Sequence, residues 1–264
     1  MTGPLARERR HTLHFLRVTR DISPVFLDTE VDMSAVVAHR DAARARGVRY
    51  SLVTYSVWQA GRVLAAHPEA NVAIRGTLRP RTIRYGSVIA KVTLDRSVNG
   101  QRVVLSVLLP GADTASMDGL QERLDEIRDS DPERSPEFAP VRLLHRLPVP
   151  LGRLAYRIGV RPLRRRADAF GTVSITSLGH RPVDGFYSVG GTTITLGLGQ
   201  VTNRPVVRAD AVTSAPVMRL SLAFDHRVID GAEAADILTD FKNGLEQLPG
   251  LAAQPLEAER EVIR

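Results

Sequence analysis

Alternating apolar and polar positions predict several β-strands in this chain. The clearest pattern lies at 217–224, where every second residue from Met218 to Phe224 is apolar and would share one face of a strand. Arg219 and Ser221 would lie on the opposite face. Further strands are predicted at residues 25–32, 83–94, 101–109, 171–177 and 192–199, and Asn99-Gly100 predicts a turn between two of them.

Apolar residues at helical spacing predict helices at about 34–46, 51–67, 116–128 and 232–247. Ser34, Ser51 and Ser116 begin the first three and are suitable N-caps, because a serine oxygen can accept a backbone N–H. Helices and strands do not alternate strictly along the chain. This order favours an α+β fold, with a mixed sheet covered by helices, over a doubly wound fold.

Residues 131–166 differ from the rest because leucines are interleaved with arginines and prolines. Such a basic amphipathic segment can lie on an anionic membrane or bind an acidic partner. However, we expect Pro148, Pro150 and Gly152 to break a single long helix. We therefore favour an insertion that packs its leucines on the domain or on a neighbouring subunit, with peripheral membrane contact as the alternative.

The amino-acid composition limits the kinds of partner that this chain is expected to bind. The 264 residues carry a net charge of +7, and only Lys91 and Lys242 among the basic residues are lysines. This charge indicates an anionic partner, such as nucleic acid, a membrane surface or a phosphate-bearing thiol like coenzyme A, or else a host that favours arginine. The lack of interleaved aromatic and basic residues argues against nucleic acid.

The absence of cysteine excludes disulfides, a thiol nucleophile and cysteine-based metal sites. The sequence shows no signal peptide and no run of about 18 apolar residues. We therefore expect a cytoplasmic protein, and no metal site is evident in the sequence.

The pattern His-Arg-x-x-Asp-Gly occurs twice, at residues 180–185 and 226–231. Its context favours the second copy, because His226 lies between a predicted strand and a predicted helix, and such a junction is a rigid mount for a base. His180 follows Gly179 in a proline-containing loop, which is typical of an ordinary loop histidine.

Two aspartates lie near His226. Neighbouring side chains on a strand point to opposite faces, so we expect Asp225 to turn away from it. Asp230 is expected to accept backbone donors and cap the last helix, supporting the site structurally.

The segment from Leu220 to Gly231 resembles the signature of the catalytic domain of dihydrolipoamide acyltransferases, the core components of 2-oxoacid dehydrogenase complexes. Further similar segments follow the family's order, at residues 26–33, 51–71, 171–179 and 197–207. The resemblance covers roughly residues 24–248 apart from 131–166. It implies a two-layer fold like that of chloramphenicol acetyltransferase, and a homotrimer with active sites between subunits.

The resemblance also implies a chemistry. Carried over by position, His226 is the general base, Thr176 takes the place of the family's serine as the oxyanion donor, and Asp230 supports the site. Substrates of the family are an acyl thioester and an acceptor thiol, usually lipoyl and coenzyme A. The remaining candidates, assigned to substrate binding, are Ser174, Ser177, Arg227 and Gly231.

We therefore expect a free-standing acyltransferase that uses a coenzyme A, lipoyl or phosphopantetheinyl thioester, with any acyl-carrier or lipoyl protein supplied in trans. The alternative is a catalytically inactive relative that serves as an oligomeric scaffold or partner-binding subunit. The expected division of the chain is an arginine-rich arm at 1–23, an acyltransferase-like domain at 24–248 with the insertion at 131–166, and a tail at 249–264.

Overall fold

A computed structural model describes residues 3, 5–76, 78–249 and 251. The strands are β1 (Pro24–Asp32), β2 (Val72–Arg75), β3 (Arg81–Arg84), β4 (Ala90–Val98), β5 (Gln101–Leu109), β6 (Val173–Ser177), β7 (Ile194–Leu198), β8 (Thr202–Arg208) and β9 (Ala211–Asp225). The α-helices are α1 (Arg10–Val18), α2 (Ser34–Ala45), α3 (Leu52–Ala66), α4 (Met117–Asp129), α5 (Ala139–Arg146), α6 (Val149–Val160), α7 (Leu163–Phe170) and α8 (Gly231–Gln247). Most of the expected 249–264 tail lies outside the described residues.

A mixed sheet organises the fold. Seven strands assemble in the order β1-β9-β7-β6-β4-β5, and β8 pairs with the first half of β9. The pairs β4–β6 and β6–β7 are parallel, and the other pairs of this sheet are antiparallel. Strands β2 and β3 form a separate hairpin. The predicted α+β class with a mixed sheet is confirmed.

Helices α3 and α8 contribute large side chains to the core beside the sheet. Tyr55 of α3 and Phe241 of α8 are almost completely buried. The predicted polar face of β9 is partly present, because Arg219 remains partly exposed and pairs with Asp28 and Glu30, whereas Ser221 is as buried as the apolar residues around it. Ser221 satisfies its hydroxyl by donating to the carbonyl oxygen of Phe186 at 2.6 Å. Both faces of β9 are therefore covered from Leu220 to Asp225.

The predicted turn and two of the three predicted caps are confirmed. Asn99 and Gly100 have φ values of 48° and 74°, the left-handed conformation that a two-residue hairpin loop requires. The Ser51 and Ser116 hydroxyls each accept a backbone N–H at 3.1 Å. The Ser34 cap is wrong, since Met33 holds the N-cap position and the Ser34 hydroxyl donates to Asp32 instead.

The segment predicted as one strand at 83–94 is divided between β3 and β4. The insertion contains α5 and α6, and α7 continues from it to Phe170. Pro148 lies between α5 and α6, as expected, but Pro150 and Gly152 lie inside α6. Pro150 is tolerated there because it occupies the first turn, where its missing N–H has no partner within the helix. Gly152 allows α1 to approach closely, because a Cβ there would lie 2.9 Å from Nε2 of His14.

Helix α6 does not pack all its apolar residues on the domain. Leu151, Leu154 and Ile158 are each more than half exposed. Of the two alternatives, packing of these three residues on the domain is not observed, and packing on a neighbouring subunit stays a prediction. In the described part of the chain, no helix combines the length and apolar character needed to cross a membrane.

Candidate active site

His226 lies in the tight turn between β9 and α8. Its backbone N–H donates to the Ser23 carbonyl oxygen at 2.9 Å, which ties the turn to the segment before β1. Its Nδ1 lies 3.1 Å from the Ile229 carbonyl oxygen. Because a carbonyl only accepts, this contact favours the tautomer with the proton on Nδ1 and the lone pair on Nε2. The side chain is 47% exposed, so a substrate can reach it.

Asp225 turns away from His226, as strand alternation predicts. It is buried, and its carboxylate accepts from Arg227 Nε at 2.8 Å and Nη2 at 2.6 Å. It also lies 3.4 Å from the backbone nitrogen of Ser23. This ion pair stabilises the turn that carries His226. The hydrogen bond with Asp225 raises the pKa of Arg227.

Asp230 holds the N-cap position of α8, but its side chain makes no capping hydrogen bond. The predicted capping role of this carboxylate is therefore wrong. Its Oδ1 lies 3.5 Å from Nδ1 of His226, and the side chain is 90% exposed. The carboxylate can stabilise positive charge on the imidazole through a partly solvated contact. Gly231 is the first residue of α8, and a Cβ there would meet open space.

Thr176 lies near the end of β6 and is half-buried. The Thr93 hydroxyl donates to the Thr176 hydroxyl oxygen at 2.8 Å. The hydroxyl oxygen of Ser177, the next residue, accepts from the backbone N–H of Gly179 at 3.4 Å. Ser174 is completely buried, and its hydroxyl lacks a hydrogen-bond partner among the described residues.

One chain does not bring Thr176 and His226 together. Thr176 lies opposite Gly197, which lies opposite Ser221 on β9. His226 is five residues further along, which corresponds to roughly 15 Å of extended strand. Each chain therefore presents a base at one end of these strands and a hydroxyl at the other.

The first copy of the repeated motif has a different setting. His180 is exposed in a turn after β6, and no helix follows it directly. Asp184 of this copy pairs with Arg204 at 2.8 Å. The choice of His226 over His180 rested on the elements that flank each histidine. In the structure only the His226 copy lies between a strand and a helix.

Sequence reasoning missed a cleft beside the His226 turn. Arg166 and Arg227 both line this open space of about 550 Å³, together with residues from α1, α6 and the β2–β3 hairpin. Arg166 donates to the Gly191 carbonyl oxygen at 3.2 Å, and burial lowers its pKa. The only sequence signal was the net charge of +7, because the lining residues are scattered from position 14 to position 227.

A buried lysine was also missed. Lys91 of β4 donates to the Gly190 carbonyl oxygen. Burial, assisted by the charge of Arg166, lowers its pKa to about 7. As for metals, no group of three or more histidine, aspartate or glutamate side chains in the described ranges could hold an ion.

Comparison with known proteins bears on this arrangement. Residues 163–253 match the family model described as 2-oxoacid dehydrogenases acyltransferase (catalytic domain). The acetyltransferase component of the pyruvate dehydrogenase complex from Zymomonas mobilis is 27% identical over 241 residues, covering 89% of this chain and 47% of that protein. The chain is thus similar to dihydrolipoamide acyltransferase catalytic domains, and the family model covers about a third of it. The predicted family resemblance is confirmed.

Solved structures of similar fold extend over most of the chain. A probable dihydrolipoamide acetyltransferase from Listeria monocytogenes superposes with a TM-score of 0.71 at 16% identity, covering 96% of this chain and 97% of the other. The cubic core of the pyruvate dehydrogenase complex gives 0.70 at 20% identity, covering 94% and 92%. Chloramphenicol acetyltransferase gives 0.50 at 16% identity, covering 93% and 100%. The predicted fold type is confirmed.

Proposed function

We propose that this protein is an acyltransferase that moves an acyl group between a thioester and an acceptor, with His226 as the general base. The observation that carries the proposal is the exposed imidazole whose Nδ1 faces the Ile229 carbonyl oxygen at 3.1 Å. Its Nε2 is then free to accept a proton. A neutral imidazole is a suitable base at physiological pH.

The reaction follows from this geometry. Nε2 of His226 takes the proton of the acceptor thiol, and the resulting thiolate attacks the thioester carbonyl carbon. A tetrahedral intermediate forms, with its negative charge on the former carbonyl oxygen. Its collapse expels the donor thiolate, which recovers the proton from the imidazolium. Asp230, at 3.5 Å from Nδ1, would stabilise the imidazolium in between.

Thr176 is the proposed oxyanion donor. The hydrogen bond from Thr93 occupies its oxygen as an acceptor and leaves its own O–H free to donate. Since Thr176 and His226 of one chain lie far apart, the donor must come from a neighbouring subunit. We therefore propose a homotrimer with active sites between subunits. The exposed apolar residues of α6 are available for such contacts.

The donor is proposed to be acyl-coenzyme A or an acyl group on a lipoyl or phosphopantetheinyl carrier. The chain spans about half the length of the Zymomonas relative, at 47%. Among the substrate-binding candidates, Arg227 lines the cleft, Gly231 borders the His226 turn, and Ser177 neighbours Thr176. Ser174 is enclosed within one chain. A cytoplasmic location stays a prediction.

Purified protein tests the proposal directly. Acyl transfer would be measured with a panel of acyl-coenzyme A donors and with dihydrolipoamide or a carrier-protein thiol as acceptor. Turnover that disappears in His226→Ala supports the transferase. No turnover with any donor, in a protein that still assembles, overturns it.

The second candidate is a non-catalytic scaffold of the same fold. The separation of Thr176 and His226 within one chain favours it only if assembly leaves them apart. A stable oligomer that neither turns over thioesters nor changes on mutation of His226 would support this role.

A further inference from the structure

Arginine dominates the cleft beside the His226 turn. Of the described residues that line it, nine are arginines and only Asp21 carries a carboxylate. The arginines come from five parts of the chain: Arg17 of α1, Arg75, Arg79 and Arg81 of the β2–β3 hairpin, Arg153, Arg157 and Arg161 in or next to α6, Arg166 of α7, and Arg227. Long-range folding therefore concentrates charge that is dispersed in the sequence.

These charges are largely uncompensated within the described part of the chain. Arg227 pairs with Asp225, but none of the other eight lining arginines has a carboxylate within 4.0 Å there. Arg153 and Arg157 are four residues apart on α6, a spacing at which like charges destabilise a helix. An unfavourable cluster of this kind gains stability when an anion binds to it.

A buried histidine lies beside these arginines. His14 lines the cleft and is only 4% exposed, yet its Nε2 has no hydrogen-bond partner among the described residues. This nitrogen packs against Gly152, where an added Cβ would lie 2.9 Å from it, so it faces α6 and the arginines alone carry the site. Burial, together with the nearby charges of His11 and Arg153, lowers the pKa of His14.

We infer that this cleft is a binding site for a small molecule with two or more phosphate groups. Guanidinium groups match phosphate oxygens with paired N–H donors. The volume of about 550 Å³ is within the range of ordinary small-molecule sites. Several arginines on separate elements can each bind a phosphate group, so they suit a ligand with several phosphates better than a ligand with a single carboxylate.

The position of the cleft suggests how the site relates to catalysis. Arg227 lines it and follows His226 directly in the chain. His226 itself does not line the cleft, so a ligand with phosphates there would need a thiol on a long flexible arm to reach the imidazole, as coenzyme A has. This extension to coenzyme A rests on the proposed function, whereas the phosphate site itself does not.

Isothermal titration calorimetry tests the site without any transfer reaction. The probes are adenosine 3′,5′-bisphosphate, which has no thiol, together with coenzyme A, ATP and inorganic phosphate. We expect the compounds with several phosphates to bind and inorganic phosphate to bind at least about tenfold more weakly. Tighter binding of adenosine 3′,5′-bisphosphate and coenzyme A than of ATP would assign the site to the coenzyme; equal binding would assign it to polyphosphates in general.

Two matched double variants locate the binding. Arg157→Gln with Arg161→Gln removes two charges from the cleft, and Arg164→Gln with Arg165→Gln removes two exposed charges outside it. The first pair should weaken the binding of adenosine 3′,5′-bisphosphate at least about tenfold, and the second pair should weaken it less than about twofold. Circular dichroism and thermal melting would verify that both fold.

Two results would overturn the inference: no binding of any probe with several phosphates, or equal weakening of binding by both double variants. Because adenosine 3′,5′-bisphosphate carries no acyl group or thiol, its failure to bind is distinct from a failure of acyl transfer.

Discussion

Nδ1 of His226 lies 3.1 Å from the carbonyl oxygen of Ile229, within the turn that joins β9 to α8. This contact determines which ring nitrogen faces substrate. The backbone hydrogen bond from His226 to Ser23 and the Asp225–Arg227 pair hold the same turn. The histidine is thus mounted on a rigid junction while its side chain remains accessible.

His226→Ala should abolish acyl transfer without loss of fold, because the exposed side chain contributes little packing. The matched control is His180→Ala, which removes the exposed histidine of the other motif copy and should leave turnover unchanged. Steady-state rates and thermal melting curves check both. Unfolding of His226→Ala, or equal loss of activity in the two variants, would contradict the proposed base.

Thr176→Ala should lower kcat roughly a hundredfold with little change in KM, because an oxyanion donor acts in the transition state. Thr176→Ser keeps the hydroxyl and should retain most of the rate. Both variants lose the γ-methyl group of threonine, so the difference between their kcat values reports the contribution of the O–H. Wild-type kcat in Thr176→Ala would remove this residue from the site.

Mixing two inactive variants should restore activity if sites lie between subunits. In random trimers of Thr176→Ala and His226→Ala chains, about a quarter of the interfaces would pair an intact His226 with an intact Thr176. Co-expression with two affinity tags, followed by assay of the doubly tagged fraction, measures this. A mixed assembly as inactive as either parent would contradict the shared site.

The sequence predicted features that depend on local pattern. The hairpin at Asn99-Gly100 and the caps at Ser51 and Ser116 follow from backbone requirements within a few residues. The choice of His226 over His180 needed only the flanking strand and helix. The cap at Ser34 was wrong because Asp32, two residues earlier, offers its hydroxyl a better partner.

Features that depend on long-range folding were not predictable in this way. The cleft unites Arg17, Arg81 and Arg227, which no sequence spacing connects. Burial of Ser221 depends on the Phe186 carbonyl supplied by a distant loop. The separation of Thr176 from His226 required the register of three strands.

Arg227→Met should destabilise the fold by about 2–4 kcal/mol, because it leaves the buried Asp225 carboxylate without its ion-pair partner. The matched control is Arg102→Met, which breaks an ion pair with Asp95 at an exposed position and should change the stability far less than Arg227→Met. Urea denaturation of both variants measures the difference. Equal, small losses would indicate that Asp225 gains compensation elsewhere.

Lys91 should give the stability a distinct pH dependence. Burial lowers its pKa to about 7 in the folded protein, below the ordinary value of 10.5. Between these values the unfolded chain binds a proton that the folded chain lacks, so the contribution of Lys91 to the free energy of unfolding rises with pH, by at most about 1.4 kcal/mol per unit. Below about pH 7 both states are protonated and the full cost of the buried charge remains.

Lys91→Met removes this titration and is close in length to lysine. The stability of the variant relative to wild type should therefore fall as pH rises from 7 to 9, whatever its value at pH 7. Urea denaturation of both proteins at half-unit pH steps measures this difference, in which the titrations of other groups cancel. A difference that stays constant across the range would mean that Lys91 remains charged in the folded protein, in contact with the Gly190 carbonyl oxygen.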